Sequence, residues 1–229
     1  MFSMPGKETP KREVLDWMIP FQRAQDLHDQ LYYREVACMS PTTRANHLVL
    51  VIAKYITHIQ SVTLQADNGV VVGRRITDIL IAVTSLLTAM NVSIAERLQK
   101  IGVPAHVSGE NQLMQWLIEN YVYQLTENQQ ASAKDVYDRG YQYVVAMPIH
   151  LYSCIDAVEN LTLMESNNAR SVLVNSAMHL WCQAVISHAR HGHSFTKDIS
   201  ERLRELERGN IHHELYGLFP NYNVQAMIT

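Results

Sequence analysis

The segments TTRANHLVLVIAKYITHIQ (Thr42–Gln60) and, after a short connection, RRITDILIAVTSLLTAMNVSIAERLQKIGV (Arg74–Val103) decide the fold. In the first, Leu48, Val51, Ile52, Tyr55 and Ile59 recur at helical spacing. In the second, Ile76, Ile79, Leu80, Val83, Leu86, Leu87 and Met90 do the same. This is the period of a helix with one buried stripe, not the alternation of a strand. The connecting QADNGVVVG carries two glycines and an Asn-Gly turn signal. Together they predict a helical hairpin, with any chemistry on the faces that the two helices turn toward each other.

Working outward, the chain reads as helices and little else. Ser40-Pro41 supplies an N-cap and a first-position proline for the earlier hairpin helix. The later one is placed from Arg74 or Arg75. Ser93 and Glu96 form a capping box for a short helix that Gly102 and Pro104 end. A first helix is expected over Lys11–Tyr33, bent at Pro20. Later helices are expected over Glu110–Glu127, Ala133–Met147, Ile149–Glu165, Ala169–His188 and Lys197–Glu207. Residues 1–10 and 208–229 read as tail and coil.

Composition narrows the class. Apolar residues make up 47% of the 229, enough for a core. A net charge of −3 leaves no basic stripe, so nucleic acid is not an expected partner. Cys38, Cys154 and Cys182 lack zinc-ligand spacing and read as reduced, buried thiols. The run Ile76–Met90 is too short, and too interrupted by Thr77, Asp78, Thr84 and Ser85, to span a bilayer. The N-terminal MFSMPGKETPKRE has no apolar signal region. The expectation is a soluble, cytoplasmic, all-α protein.

The chain also resembles itself. Leu15-Asp-Trp17-Met-Ile19 is similar to Met114-Gln-Trp116-Leu-Ile118, His47-Leu48 to His150-Leu151, and Ser93-Ile-Ala-Glu-Arg-Leu98 to Asp198-Ile-Ser-Glu-Arg-Leu203. The three matches come in the same order, about a hundred residues apart, as expected of a tandem duplication. On this reading Asp198 and Glu201 repeat the capping pair Ser93 and Glu96.

His47–His58, the loop, Asp78-Ile-Leu-Ile and Asn91-Val-Ser-Ile-Ala-Glu-Arg-Leu98 resemble the MazG-like all-α nucleotide pyrophosphohydrolases, as do Phe21-Gln22 and His28-Asp29 upstream. The resemblance covers about residues 11–103 directly and reaches residues 110–207 through the repeat. It implies a bundle in which the family's dimer is fused into a pseudo-dimer. Carboxylates on neighbouring helices would hold Mg²⁺ there, and water would split a nucleoside triphosphate into the monophosphate and pyrophosphate. Mg²⁺ needs several hard oxygen ligands to do this.

Here the sequence departs from the family. The acid positions of the first hairpin helix hold Lys54 and Thr57. On the second the glutamate position holds Arg75, and only Asp78 remains as a metal ligand. Position 75 shares a face with position 78, so Arg75 and Lys54 are expected to pair with Asp78. His47, Lys54, His58 and Arg75 become candidate substrate contacts. Asp156 and Glu159 of the second repeat, with Asp78, form a candidate composite catalytic site; the plainer reading makes them a solvated helix face. The cluster His188, His191 and His193 reads as cations at a helix C-terminus rather than as metal ligands.

Two functions follow. One is a divergent nucleoside triphosphate pyrophosphohydrolase with a reduced, Mg²⁺-dependent site. The other is a non-catalytic bundle that binds a nucleotide or another phosphate-bearing small molecule, or serves only as a scaffold or protein-interaction module. No membrane partner is expected; further copies of the chain are, should it form an oligomer.

Overall fold

The computed structural model describes residues 15, 17–63, 69–121, 142–162, 167–190 and 192–209. Among them every regular element is an α-helix. In chain order these are α1 (Met18–Tyr32), α2 (Arg34–Ala37), α3 (Pro41–Thr63), α4 (Gly69–Ala89), α5 (Ile94–Lys100), α6 (Glu110–Asn120), α7 (Gln142–Thr162), α8 (Asn167–Arg190) and α9 (Phe195–Gly209). Of the expected C-terminal coil, residues 208 and 209 instead complete the last turn of α9; residues 1–10, 122–141 and 210–229 lie outside the described residues.

Two antiparallel hairpins, α3–α4 and α7–α8, make the body. They pack face to face, α4 on α8 and α3 on α7, while α1, α6 and α9 lie against the two central helices. Ala45, Val49, Ile52, Ile56 and Ile59 of α3 meet Ile76, Ile79, Leu80, Val83 and Leu87 of α4 in one core. On α8, every residue from Leu180 to His188 is buried. A helix apolar on all sides needs neighbours on all sides, so α4 and α8 are central. Trp181 is fully buried and its Nε1 donates to Thr84 Oγ1 at 3.3 Å. Phe195, at the start of α9, packs edge-on to Phe21 and Trp181 and against Trp17, which anchors α9 to the body.

Local signals explain most helix ends. Ser40 Oγ accepts from Thr43 N at 3.2 Å, so the Ser-Pro start of α3 is as expected. Both central helices end alike. Asn91 and Gly192 adopt left-handed φ values of 53° and 71°. Val92 N then bonds back to Leu87 O, and His193 N to His188 O, closing the last turn. Ser93 Oγ then accepts from Glu96 N, and Ser194 Oγ from Lys197 N, to start α5 and α9. The N-cap of α9 is therefore Ser194, not Asp198: the helix begins one turn earlier because Phe195 is buried.

The structure corrects three further boundaries. α1 starts at Met18, so Pro20 sits in its first turn, where a missing N–H costs little, and puts no bend mid-helix. α4 begins at Gly69, ahead of the expected Arg74, because Val72 is buried in the core. The helix expected to break before Ile149 runs through Pro148. Met147, Leu151 and Cys154 are buried on both sides of that proline and outweigh its cost of about 3 kcal/mol. Cys154 and Cys182 are buried, as expected, but Cys38 is exposed. No single helix among the described residues is long and apolar enough to cross a membrane.

At the junction of α6, α7 and α8, Tyr121 Oη hydrogen-bonds to His179 Nδ1, and the His179 ring stacks on His150 at 4.7 Å. Burial pushes the pKa of both histidines below the ordinary 6.5. As pH falls through 6.5 the unfolded chain takes up these protons before the native one does, so stability falls with pH in that window. The melting temperature is expected to drop between pH 7.5 and 5.5. The drop should be smaller in His150→Asn/His179→Asn, and equal slopes in the two proteins would rule this source out.

Candidate functional site

The helical spacing that builds the core also lines a cavity of about 300 Å³. His47, Leu48, Val51, Lys54 and Tyr55 face it from α3. Asp78, Ile81, Ala82 and Ser85 face it from α4, Asp29 from α1, Tyr33 and Val36 from the next turn and α2, and Leu206 from α9. These residues fall at i, i+3, i+4 and i+7 on α4 and at i, i+1, i+4, i+7 and i+8 on α3, one face each. The volume is at the small end of ligand pockets. Most of the wall is apolar, and the polar groups are concentrated on a few residues.

Asp78 is the buried centre of the polar part, with a side chain only 2% exposed. Its Oδ2 accepts from Arg75 at 2.9 Å, and its Oδ1 accepts from Arg202 Nε at 2.7 Å. Arg202 also donates to Glu205 at 2.9 Å, and Glu205 takes a bond from Arg74 at 2.8 Å. On the other side, Arg75 Nε donates to His58 Nδ1 at 2.8 Å. One carboxylate thus ties α3, α4 and α9 together. Burial works against the charge on Arg202, but the hydrogen bond and charge of Asp78, then those of Glu205, outweigh it and hold its pKa above the ordinary value. Burial, then the charge of Asp78, raises the pKa of Tyr55, which keeps its hydroxyl protonated.

A second knot lies on α1. Asp29 accepts from Gln25 at 2.9 Å and from Arg44 of α3 at 3.1 Å. Next to it His28 is fully buried between the Tyr32 and Tyr33 rings, 3.9 Å from both Asp29 and Glu207, and neither ring nitrogen has a hydrogen-bond partner among the described residues. His28 stands behind the cavity wall rather than in it.

The structure gathers His47, Lys54 and Asp78 on the cavity wall, with His58 and Arg75 bonded to one another beside Asp78. Arg75 pairs with Asp78 as expected. Lys54 does not; its Nζ lies over the Tyr55 ring at 4.6 Å. The second cation on Asp78 is Arg202, a residue that sequence reasoning missed. Its only signal is its place beside the buried Ile199 and Leu203 in α9. Asp29, named in the resemblance but not among the expected site residues, falls on the buried face of α1 with Phe21, Gln25 and His28. Asp156 and Glu159 are exposed on α7, where Asp156 accepts from Asn160 at 3.5 Å.

The fit to Mg²⁺ is poor on this donor set. Both oxygens of Asp78 already hold guanidinium groups. Among the described residues no group of three or more His, Cys, Asp or Glu side chains is placed to hold a metal ion. His188 and His193 both lie near the one carboxylate of Asp198, at 3.4 and 3.1 Å; His191 lies outside the described residues. Gln22, part of the resemblance, is used structurally. Its amide bonds Val92 O and receives Ile94 N, which fixes the start of α5.

Compared with protein-family models, with curated proteins and with solved structures, the chain finds no match.

Removing Asp78 leaves two guanidinium groups facing each other without their shared counter-ion. Asp78→Ala is expected to cost about 3 kcal/mol, a fall in melting temperature of roughly 6–12 °C. The same change at exposed Asp156 or Glu159 should stay within about 0.5 kcal/mol. Thermal denaturation of the three variants side by side checks the ranking. Equal, small effects would show that Asp78 does not hold the fold together.

Proposed function

We propose that the chain is a MazG-like bundle that binds a nucleotide, or another phosphate-bearing small molecule, without a divalent metal. The observation that carries this reading is the state of Asp78. Where the family resemblance implies a metal-holding carboxylate, an internal Asp–Arg network faces a cavity. In this reading the apolar wall of Leu48, Val51, Ile81 and Leu206, with the Tyr33 and Tyr55 rings, receives the base and sugar. The ammonium of exposed Lys54 and the accessible edge of Arg75 meet the phosphates. Charge-assisted contacts of this kind are roughly twice as strong as neutral ones. His47 lines the same wall as a further donor, and His58 orients Arg75.

The fused pseudo-dimer belongs to the same proposal. It is supported by the two similar hairpins, each followed by a left-handed residue, a serine cap and a short helix. The same spacing separates Asn91 from Gly192 and Ser93 from Ser194. In both halves the preceding helix clasps that turn: Gln22 bonds the start of α5, and Glu110 accepts from Ser194 Oγ and Thr196 Oγ1 at the start of α9. Hydrolysis of a nucleoside triphosphate is not part of the reading, because the residues present do not make a Mg²⁺ site. A cytoplasmic setting suits both the ligand and the free thiols.

The test is nucleotide-dependent stabilisation of the full chain across a panel of mono- and triphosphates, with and without Mg²⁺, together with pyrophosphate release. We expect binding that Mg²⁺ does not strengthen, little or no pyrophosphate, and affinity about tenfold lower in Lys54→Ala, the loss of one contact to a charged group. Robust Mg²⁺-dependent turnover that needs Asp78, Asp156 and Glu159 would replace this reading with the composite-site enzyme. Absence of binding by any nucleotide would leave the scaffold role.

A further inference from the structure

Helix α7 is apolar on two sides. Met147, Leu151, Cys154 and Ala157 face the core. On the outside, Ile149, Tyr152 and Ile155 form a second row at i, i+3 and i+6, and Tyr152 is 77% exposed, more than any other large hydrophobic residue among those described. The next most exposed is Leu50, at 60%, on the outer side of α3. Since α3 packs against α7, the outer faces of the two helices form one surface. A helix with apolar residues on both faces normally has neighbours on both. Four side chains of this size leave on the order of 500 Å² of apolar surface, the upper end of what a monomer shows.

The charges bordering this surface are of opposite sign on its two helices. α7 contributes Asp156 and Glu159, and α3 contributes Lys54, with the imidazole of His47 beside it as a hydrogen-bonding group; all four are exposed. None of them makes an ion pair with another described residue. A twofold axis through the surface lays α7 of one copy over α3 of the other. The apolar rows then meet in the middle, and each acidic edge meets a basic edge. That is what an isologous interface requires of a single surface, and with its polar rim it approaches the roughly 800 Å² per partner of a standard interface.

We propose that the outer face of α3 and α7 is a self-complementary interface that pairs two copies of this chain, with Leu50, Ile149, Tyr152 and Ile155 at its centre and Asp156 and Glu159 of each copy set against His47 and Lys54 of the other. If the nucleotide reading above holds, Lys54 is shared between the ligand and the second copy.

The experiment is sedimentation velocity on the full chain, without nucleotide, from 1 to about 100 µM. A reversible dimer is expected. Tyr152→Asp and Leu50→Asp should each weaken it at least tenfold while circular dichroism stays that of the wild type, since both side chains are exposed. Lys54→Glu should weaken it, and Lys54→Glu with Glu159→Lys should restore it. A monomer at the highest concentration overturns the proposal, whether the surface takes another protein or another part of the chain. A dimer that survives Tyr152→Asp combined with Leu50→Asp also overturns it, because the contact then lies elsewhere. A charge swap that fails to restore the dimer overturns the pairing of α7 with α3.

Discussion

The carboxylate of Asp78 is the constraint on which the rest of the polar structure depends. It sits on the central helix with Ile76, Thr77, Ile79 and Leu80, all buried. An isolated carboxylate in such a place is strongly disfavoured, so it must be paired and hydrogen-bonded. Arg75 supplies one partner from the next turn. Arg202 supplies the other from a helix at the far end of the chain, and Arg202 reaches Asp78 only if α9 lies across α4. The burial of one charge therefore fixes where the last described helix goes. Phe195 anchors the other end of that helix in the aromatic cluster, so α9 is held by an apolar contact at its start and an ionic one further along.

The same arrangement shapes the cavity. Leu206 follows Arg202 by one turn, so the pairing that satisfies Asp78 also sets a wall of the pocket. On the opposite wall Arg44 and Gln25 hold Asp29. The acidic groups facing the space are thus already matched by guanidinium or amide donors. Lys54, resting on the Tyr55 ring, has no carboxylate partner among the described residues. The free charge at the site is positive, which favours an anionic ligand and disfavours a divalent cation.

Among the described residues the second hairpin buries no Asp or Glu; its buried polar groups are Ser176, Gln183, Ser187 and His188. On its exposed side Asn175 accepts from the Arg97 guanidinium of α5 at 3.3 Å, a contact with an uncharged amide rather than with a carboxylate. Its own junction is made by Tyr121, His179 and His150. The two hairpins thus carry different polar groups, and the cavity described above lies against the first. The exposed row on α7 belongs to that second hairpin.

The sequence by itself determined the helices. The stripes of α3 and α4, the Ser40-Pro41 start, the Ser93 cap and the Gly102 stop are local signals, each set by the backbone groups and side chains of a single turn. It also placed His47, Lys54, Arg75 and Asp78 near one another, because residues one turn apart on a helix share a face, and a short loop brings the faces of two helices together. What only the tertiary structure decided depends on distant parts of the chain. The continuation of α7 through Pro148 and the start of α4 at Gly69 reflect burial that outweighs local propensity. The cap at Ser194 is set by where Phe195 is buried. Arg202, Asp29 and Arg44 are ordinary charged residues in sequence. Their roles arise because a buried charge must find its partner wherever packing brings one within reach, and no local pattern records that distance.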